Sequence, residues 1–291
     1  MSTGTIALPS TGSRQLVWLR DLIYQACGIF HIDAKFNLIE RACIRRMEAL
    51  EIDELSDYCE YLSSDPRRRM EIAELLNEIT IGETCFFRNQ PQLDALRDRI
   101  IPEIMKSPSK LAMKHLRIWS AGCSTGEEPY TLAMLLLELS QTLLRGWTFE
   151  VRATDLNSRS VERAKAGVYT PYSLRNTVPA MKTRYFHQYG DSFDVADEVR
   201  AKVKFEQLNL NDSQRMLFMT GFDVIFCCNV LIYFDLQSKK RVISHFYSNL
   251  MEGGYFFLGH SESLFGVDDR FRLVQFPATT GYWKAPRNAK S

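Results

Sequence analysis

Cysteine is sparse and dispersed. Seven residues stand at 27, 43, 59, 85, 123, 227 and 228, and no CxxC pair occurs. An odd, scattered set in so long a chain forms neither a disulfide framework nor a zinc-ligand pattern. The five histidines form no cluster either, so no metal site is expected. An excess of one charge is also missing: 36 Lys and Arg against 35 Asp and Glu leave +1. No global field draws in nucleic acid or an anionic membrane surface. Long apolar runs are absent. Segments such as 133–137 and 224–228 fall far below the roughly 18–20 residues that span a bilayer. The first thirteen residues lack a basic start and an apolar stretch, so they read as a disordered tail rather than a signal peptide. A short tail is expected over 286–291.

What is present is ordinary globular usage, with 45% apolar and 24% charged residues among 291. That excludes disorder, collagen and coiled coil as descriptions of the whole chain, and the length suggests two domains. Over 14–85 the pattern is helical. Leu16, Leu19, Leu22, Ile23 and Ala26 recur at helical spacing, as do Ile39, Cys43, Met47 and Leu50, and Ile72, Leu75, Leu76 and Ile79. Asp65-Pro66 resembles a helix start. A bundle of three or four short helices accounts for this part, and 86–110 reads as linker and helix.

The texture changes near Pro108-Ser109. Strands at Leu116–Ser120, Phe149–Asp155, Phe222–Cys228 and Tyr255–Gly259 alternate with helices at Pro129–Leu144, Ser158–Ala166 and Arg241–Met251. Alternation of this kind predicts a parallel sheet covered on both faces, a Rossmann-like doubly wound α/β domain over 111–285. Residues 169–206 break the alternation. There Tyr185–Tyr189 and Val203-Lys204-Phe205 flank the turn signal Tyr189-Gly190-Asp191, which predicts an inserted antiparallel β-subdomain.

In a doubly wound fold, ligands bind beyond the carboxyl ends of the strands. The small-residue loop Ala121–Gly126 sits at that place. Its spacing is Gly122-x-x-x-Gly126, not the GxGxxG of a dinucleotide site, and Glu127 and Glu128 follow at once. Carboxylates there repel a pyrophosphate and suit an ammonium or sulfonium group. S-adenosylmethionine carries both cations and no phosphate. The competing reading makes both acids favourable partners of the helix dipole. Asp155 ends the second strand, where it can accept from ribose hydroxyls or, with Asn157, cap the next helix. Asn209 and Asn229 follow later strands, at exits where an adenine edge could be read.

The ordered set Thr84-Cys85-Phe86-Phe87-Arg88, Trp119–Tyr130, Ala153-Thr154-Asp155, Asn209-Leu210, Phe226–Phe234 and Gly259-His260-Ser261-Glu262 resembles the CheR family. These are chemotaxis receptor glutamate O-methyltransferases. The resemblance runs from about Leu16 to Lys284. It implies S-adenosylmethionine as methyl donor, S-adenosylhomocysteine as product, and no metal. It further implies that Gly82, Thr84, Arg88, Gly122, Glu128, Asp155, Asn209, Leu210, Asn229 and Val230 bind the cofactor. Glu128 would take the ammonium, Asp155 the ribose, Asn209-Leu210 the adenine, and Asn229 the side near the sulfonium. Arg88 and Tyr233 match the pair placed next to the transferring methyl. Two positions depart from the pattern. Gly82 stands where Asn is frequent, so only its backbone could contact the cofactor. Cys228 stands where Arg is usual, which removes a cation; it reads as a small buried strand residue.

The same resemblance implies a cytoplasmic monomer, recruited to membrane receptor arrays, that acts on the acidic methylation region of chemoreceptors. Arg41, Arg45 and Arg46 form a basic stripe that could dock that region, or merely pair with Glu40 and Glu48. Residues 1–85 carry nine Lys and Arg against fourteen Asp and Glu, so any attraction is local. The hairpin of the insert is a few residues shorter than in relatives that grip a receptor tail by strand addition. The expectation is a chain that needs no such tether. Three rival readings stay open: a dinucleotide dehydrogenase, a methyltransferase on another substrate, and a non-catalytic cofactor-sensing or adaptor module.

Overall fold

Helical spacing in the first 80 residues becomes four helices in the computed structural model, which describes residues 11–30, 36–80 and 82–286. Of the tails expected over 1–13 and 286–291, residues 1–10 and 287–291 lie outside the described residues, whereas 11–13 already belong to the first helix. The chain divides into two units: the described residues up to Thr80 together with Tyr233–Asp235, and the rest.

In the first unit, α1 (Thr11–Cys27), α2 (Phe36–Leu50), α3 (Leu55–Ser64) and α4 (Arg68–Ile79) bury Leu19, Ile23, Ile39, Cys43, Leu62, Leu75 and Ile79. All but Leu62 are among the residues recurring three and four apart, which line one face of a helix. Asp65 accepts from the Arg67 amide at 2.7 Å and turns the chain into α4. Tyr233–Asp235 belong to this unit: Phe30 N–H donates to the Tyr233 carbonyl at 2.9 Å, and Tyr24 Oη donates to Asp235 Oδ2 at 3.1 Å.

The basic stripe is not an evenly solvated face. Arg41 is exposed. Arg45 pairs with Glu78 of α4 at 2.5 Å. Arg46 turns inward and holds Glu71 with two hydrogen bonds, at 2.9 and 2.8 Å, while Tyr58 Oη donates to the same carboxylate. Its side chain is only 13% exposed and that of Glu71 4%. Both acids belong to α4, not to the i±4 neighbours Glu40 and Glu48. Arg46 is thus an internal anchor, which corrects its place among surface docking residues. Arg46→Ala leaves the Glu71 carboxylate buried without its cation, an arrangement that costs about 3–5 kcal/mol. Chemical denaturation of the full chain measures this; a midpoint equal to that of the parent would refute the anchor.

The second unit is built on a seven-stranded sheet. Its strands are β1 (His115–Ala121), β2 (Thr148–Asp155), β6 (Val203–Gln207), β7 (Phe222–Cys227), β8 (Leu250–Leu258), β9 (Arg272–Phe276) and β10 (Thr279–Trp283), in the order β6-β2-β1-β7-β8-β10-β9. The first five are parallel, and the β9–β10 hairpin closes the far edge antiparallel. Every residue of β7 is buried, as both-face coverage requires. The strand order reverses between β1 and β7, and that switch point opens a crevice at their carboxyl ends. Flanking helices include α5 (Glu127–Ser140), α6 (Ser158–Ala166) and α7 (Leu236–Asn249).

Several boundaries move. The stretch expected to be linker, 86–110, packs Phe86, Leu93, Leu96, Ile100, Ile101 and Ile104 into the core of this unit. The insert forms a small sheet of β3 (Val168–Tyr169), β5 (Ser192–Val195) and β4 (Phe186–Tyr189). Tyr189 pairs with Ser192, so the turn joins β4 to β5 and not to Val203-Lys204-Phe205. Those residues are β6, parallel to β2 with Val203 opposite Val151. Strand β5 reads Ser-Phe-Asp-Val, too short and polar to announce itself. The last helix begins at Leu236, five residues before Arg241, because its first turns, Gln-Ser-Lys-Lys, are polar.

Candidate active site

The crevice begins with the loop after β1. Gly122 and Cys123 both donate to the Thr154 carbonyl, at 2.7 and 2.9 Å, which lashes the loop to the end of β2. Gly122 has φ +75°, and a Cβ there would collide with Val230 Cγ2. Only glycine satisfies both conditions, and the loops after β1 and β7 meet at this point. Ser124 N–H donates to Asp155 Oδ2 at 2.7 Å, while its buried Oγ has no partner among the described residues. A Cβ on Gly82 would strike that hydroxyl. Close packing explains glycine at 82, where sequence alone gave only a departure from pattern.

The two adjacent acids separate. Glu127 folds back: Thr125 Oγ1 donates to one oxygen at 2.7 Å and Ser173 Oγ to the other at 3.1 Å, bracing the loop. Burial raises its carboxyl above the usual carboxylate range. Glu128 faces the crevice and accepts from Ser120 Oγ at 2.7 Å. Burial pushes its carboxyl up to about 7; the hydroxyl of Ser120, the thiol of Cys228 and the charge of Arg88 oppose this, and the Glu262 charge adds to it. The pattern of an N-terminal helix acid therefore describes Glu127 better than Glu128.

Asp155 and Asn157 resolve in the same way. Asn157 caps α6, accepting from Ser160 N–H at 3.0 Å. That leaves Asp155 to the crevice, anchored by the Ser124 amide and by the Asn157 amide at 2.8 Å. Its carboxyl is also raised by burial. Each of its oxygens has spare lone pairs for a hydroxyl donor. The next exit, after β6, is tied to it: Leu208 N–H donates to the Asp155 carbonyl at 2.8 Å. Asn209 Oδ1 then accepts from Asn211 N–H at 3.0 Å, and Leu210 is buried.

After β7, Cys228 is half-buried and donates weakly to Gln92 Oε1 at 3.5 Å, and Gln92 Nε2 donates to the Leu258 carbonyl at 2.7 Å. Asn229 adopts φ +60°. Its amide donates to Glu262 at 2.7 Å. Arg88 is exposed and gives one N–H to the Glu83 carbonyl at 2.5 Å, and its charge acts on Glu128. Thr84 is half-buried beside it. The switch point thus gathers Gly82, Gly122, Glu128, Asp155, Asn229 and Val230. Tyr233 falls in the helical unit. Glu262, Ser120 and Gln92 were not assigned roles by sequence reading. Glu262 lay inside a recognised motif, but nothing in its spacing indicated what its carboxylate would touch.

Glu128, Asp155 and Glu262 make this end of the sheet acidic, with no group of three His, Cys, Asp or Glu arranged for a metal among the described residues. Such a set of acceptors suits a ligand with an ammonium or sulfonium group and a vicinal diol, and it repels a diphosphate.

Comparison with known proteins agrees. Residues 82–280 match the family described as CheR methyltransferase, SAM binding domain, and residues 14–80 match its all-alpha domain. Chemotaxis protein methyltransferase 2 of Vibrio cholerae is 35% identical over 274 residues, 94% of this chain and 93% of that protein. Chemotaxis protein methyltransferase Cher2 of Pseudomonas putida is 33% identical over 270 residues, covering 91% and 96%. Chemotaxis protein methyltransferase 1 of Pseudomonas aeruginosa is 34% identical over 260 residues, covering 88% and 92%. A crevice of carboxylates at the switch point and two family matches that together span nearly all described residues lead to one conclusion: the chain belongs to the CheR family of S-adenosylmethionine-dependent methyltransferases.

Proposed function

We propose that the chain methylates glutamate side chains on the cytoplasmic domains of chemoreceptors, forming glutamate 5-O-methyl esters for receptor adaptation. The observation that carries the reading is the pair of crevice carboxylates, Glu128 and Asp155, anchored by neutral donors and free to meet a cation and a diol. In this reading Glu128 takes the methionine ammonium, Asp155 the ribose hydroxyls, and Asn209 and Leu210 the adenine. Gly82, Thr84, Gly122 and Val230 line the pocket, and Asn229 lies beside the sulfonium. S-adenosylmethionine, when bound, supplies an electrophilic methyl carbon with a neutral thioether as leaving group.

A glutamate acceptor is ionised at pH 7, so no general base is required of this chain. Arg88 orients the acceptor carboxylate through its guanidinium fork. Alignment of this kind contributes about 7–11 kcal/mol. The partner is an acidic helical region, which Arg41 and Arg45 would meet. The protein acts as a cytoplasmic monomer recruited to receptor arrays, with no metal and no nucleic acid.

The test is transfer of labelled methyl from S-adenosylmethionine to purified receptor cytoplasmic fragments, followed by mild base. Esters release labelled methanol; base-stable label, or none, would reject the acceptor. Charge reversal of Arg41 and Arg45 together is expected to raise KM for the fragment about tenfold, since a few exposed pairs each contribute up to about 1 kcal/mol. An unchanged KM would remove both residues from the docking surface.

A further inference from the structure

One carboxylate joins two strand exits. Glu262 follows β8 in the turn Gly259-His260-Ser261-Glu262, which its own amide closes by donating to the Gly259 carbonyl at 3.0 Å. Its side chain accepts three backbone N–H groups. Oε2 takes Asn229 at 2.7 Å and Gly259 at 2.8 Å, and Oε1 takes Ile232 at 3.1 Å. Two of the three donors belong to the turn after β7, and the third to the turn after β8. Asn229 has a left-handed backbone, which Asn tolerates better than most residues but still does not favour. The two turns touch so closely that a Cβ on Gly259 would lie 2.6 Å from Asn229 Oδ1 and 2.8 Å from Glu262 Oε2. Bonds to a charged acceptor are roughly twice as strong as neutral ones, so this carboxylate is a strong restraint on the turn.

We propose that Glu262 is a positioning residue for methyl transfer: it holds the Asn229–Ile232 turn in the conformation that aims Asn229 at the donor's sulfonium, and its charge adds to the negative field there. The inference rests on the reading that Asn229 lies beside the sulfonium. The field reaches the crevice, because the Glu262 charge is one of the groups acting on Glu128.

The chemistry of the site selects the variant. All three partners of Glu262 are donors. Glutamine offers one acceptor oxygen and one NH2 group, so E262Q must face at least one N–H with another donor, and it removes the charge. E262D keeps the charge and loses the reach. Calorimetry of S-adenosylmethionine binding to the full chain, from about pH 5.5 to 8.5, is run on the parent, E262Q, E262D and N229A. E262Q is expected to bind about tenfold more weakly, with the midpoint of its pH dependence moved toward acid. E262D is expected to lose about tenfold with the midpoint unmoved. A turn that matters only for folding shifts the melting temperature but leaves the midpoint in place. If N229A weakens binding while E262Q binds like the parent with the same midpoint, Glu262 does not position the site and the proposal is overturned. If N229A binds like the parent, the assignment of Asn229 fails and takes the proposal with it. If E262Q does not fold, E262D decides: parental affinity overturns the restraint.

Discussion

Arg88→Ala is expected to slow methyl transfer about 100- to 1,000-fold, the scale on which loss of one preorganised donor to the reacting groups acts. The anchoring of this arginine supports so large a value. Phe86, fully buried, packs edge-on against Tyr169 and Phe186, with ring centroids 4.8 and 5.0 Å away. Its amide donates to the Ser173 carbonyl at 3.0 Å, and the amide of Phe87, itself at φ +55°, donates to Thr131 Oγ1 at 3.1 Å. Arg88 therefore leaves a fixed stem, and among the described residues one of its N–H groups is engaged, with the Glu83 carbonyl. The remaining fork is available to orient a carboxylate. Because the contact proposed for it with the methyl donor is one among many, affinity for S-adenosylmethionine should change less than about tenfold. Single-turnover transfer of labelled methyl, beside calorimetry of donor binding, separates the two quantities. Turnover of R88A within a few-fold of the parent would exclude Arg88 from the reacting centre.

Glu128 gives the second large effect. Its carboxyl is raised to about 7, first by burial. The neutral form cannot pair with an ammonium group, so donor binding must release the proton wherever the free protein holds it. Affinity for S-adenosylmethionine should thus fall about tenfold per pH unit below the midpoint and level off above it. Calorimetry in buffers of different ionisation enthalpy would register that proton release at pH 6 and its disappearance near pH 8. E128Q should bind about 100-fold more weakly at pH 8 and show a flat profile, since a charge-assisted contact in a buried site is lost. A parental profile in E128Q would mean that another group receives the ammonium. Folding carries the opposite sign. The unfolded carboxyl ionises near 4.5 and the folded one near 7, so this residue lowers stability as pH rises through that window. Arginine at 228, the residue usual in the pattern that this sequence resembles, would draw the midpoint toward acid.

Most of the site was legible because its residues occupy positions that the alternation of strands and helices defines. Once β1, β2 and β7 are found, Gly122, Glu128, Asp155 and Asn229 follow as their exits. Spacing alone does not distinguish Glu127 from Glu128, or Asp155 from Asn157; the family resemblance made that choice. In each case two neighbours could serve as cap or ligand; a tertiary partner, Ser173, claims Glu127, and the local cap amide of Ser160 claims Asn157. Glu262 stayed hidden for a related reason: its partners are backbone amides, which carry no residue signature. Elements were missed where burial is one-sided or brief. Strand β9 has no fully buried residue, and β5 has one. The helical part was legible as a bundle, but Arg46 shows the limit of reading charge as surface. Three arginines within six positions look alike until Glu71 appears beneath one of them.

Tyr233–Asp235 group with the helical bundle while residues on both sides of them do not. The backbone consequently passes from one body to the other at three places: after Ile81, after Ile232 and after Asp235. A protease cut at the first junction would therefore leave two pieces that still share an excursion of chain, and a gene fragment ending near residue 80 would encode a bundle lacking its tyrosine-bearing loop. Domain exchange between relatives would need to transplant that loop along with the helices.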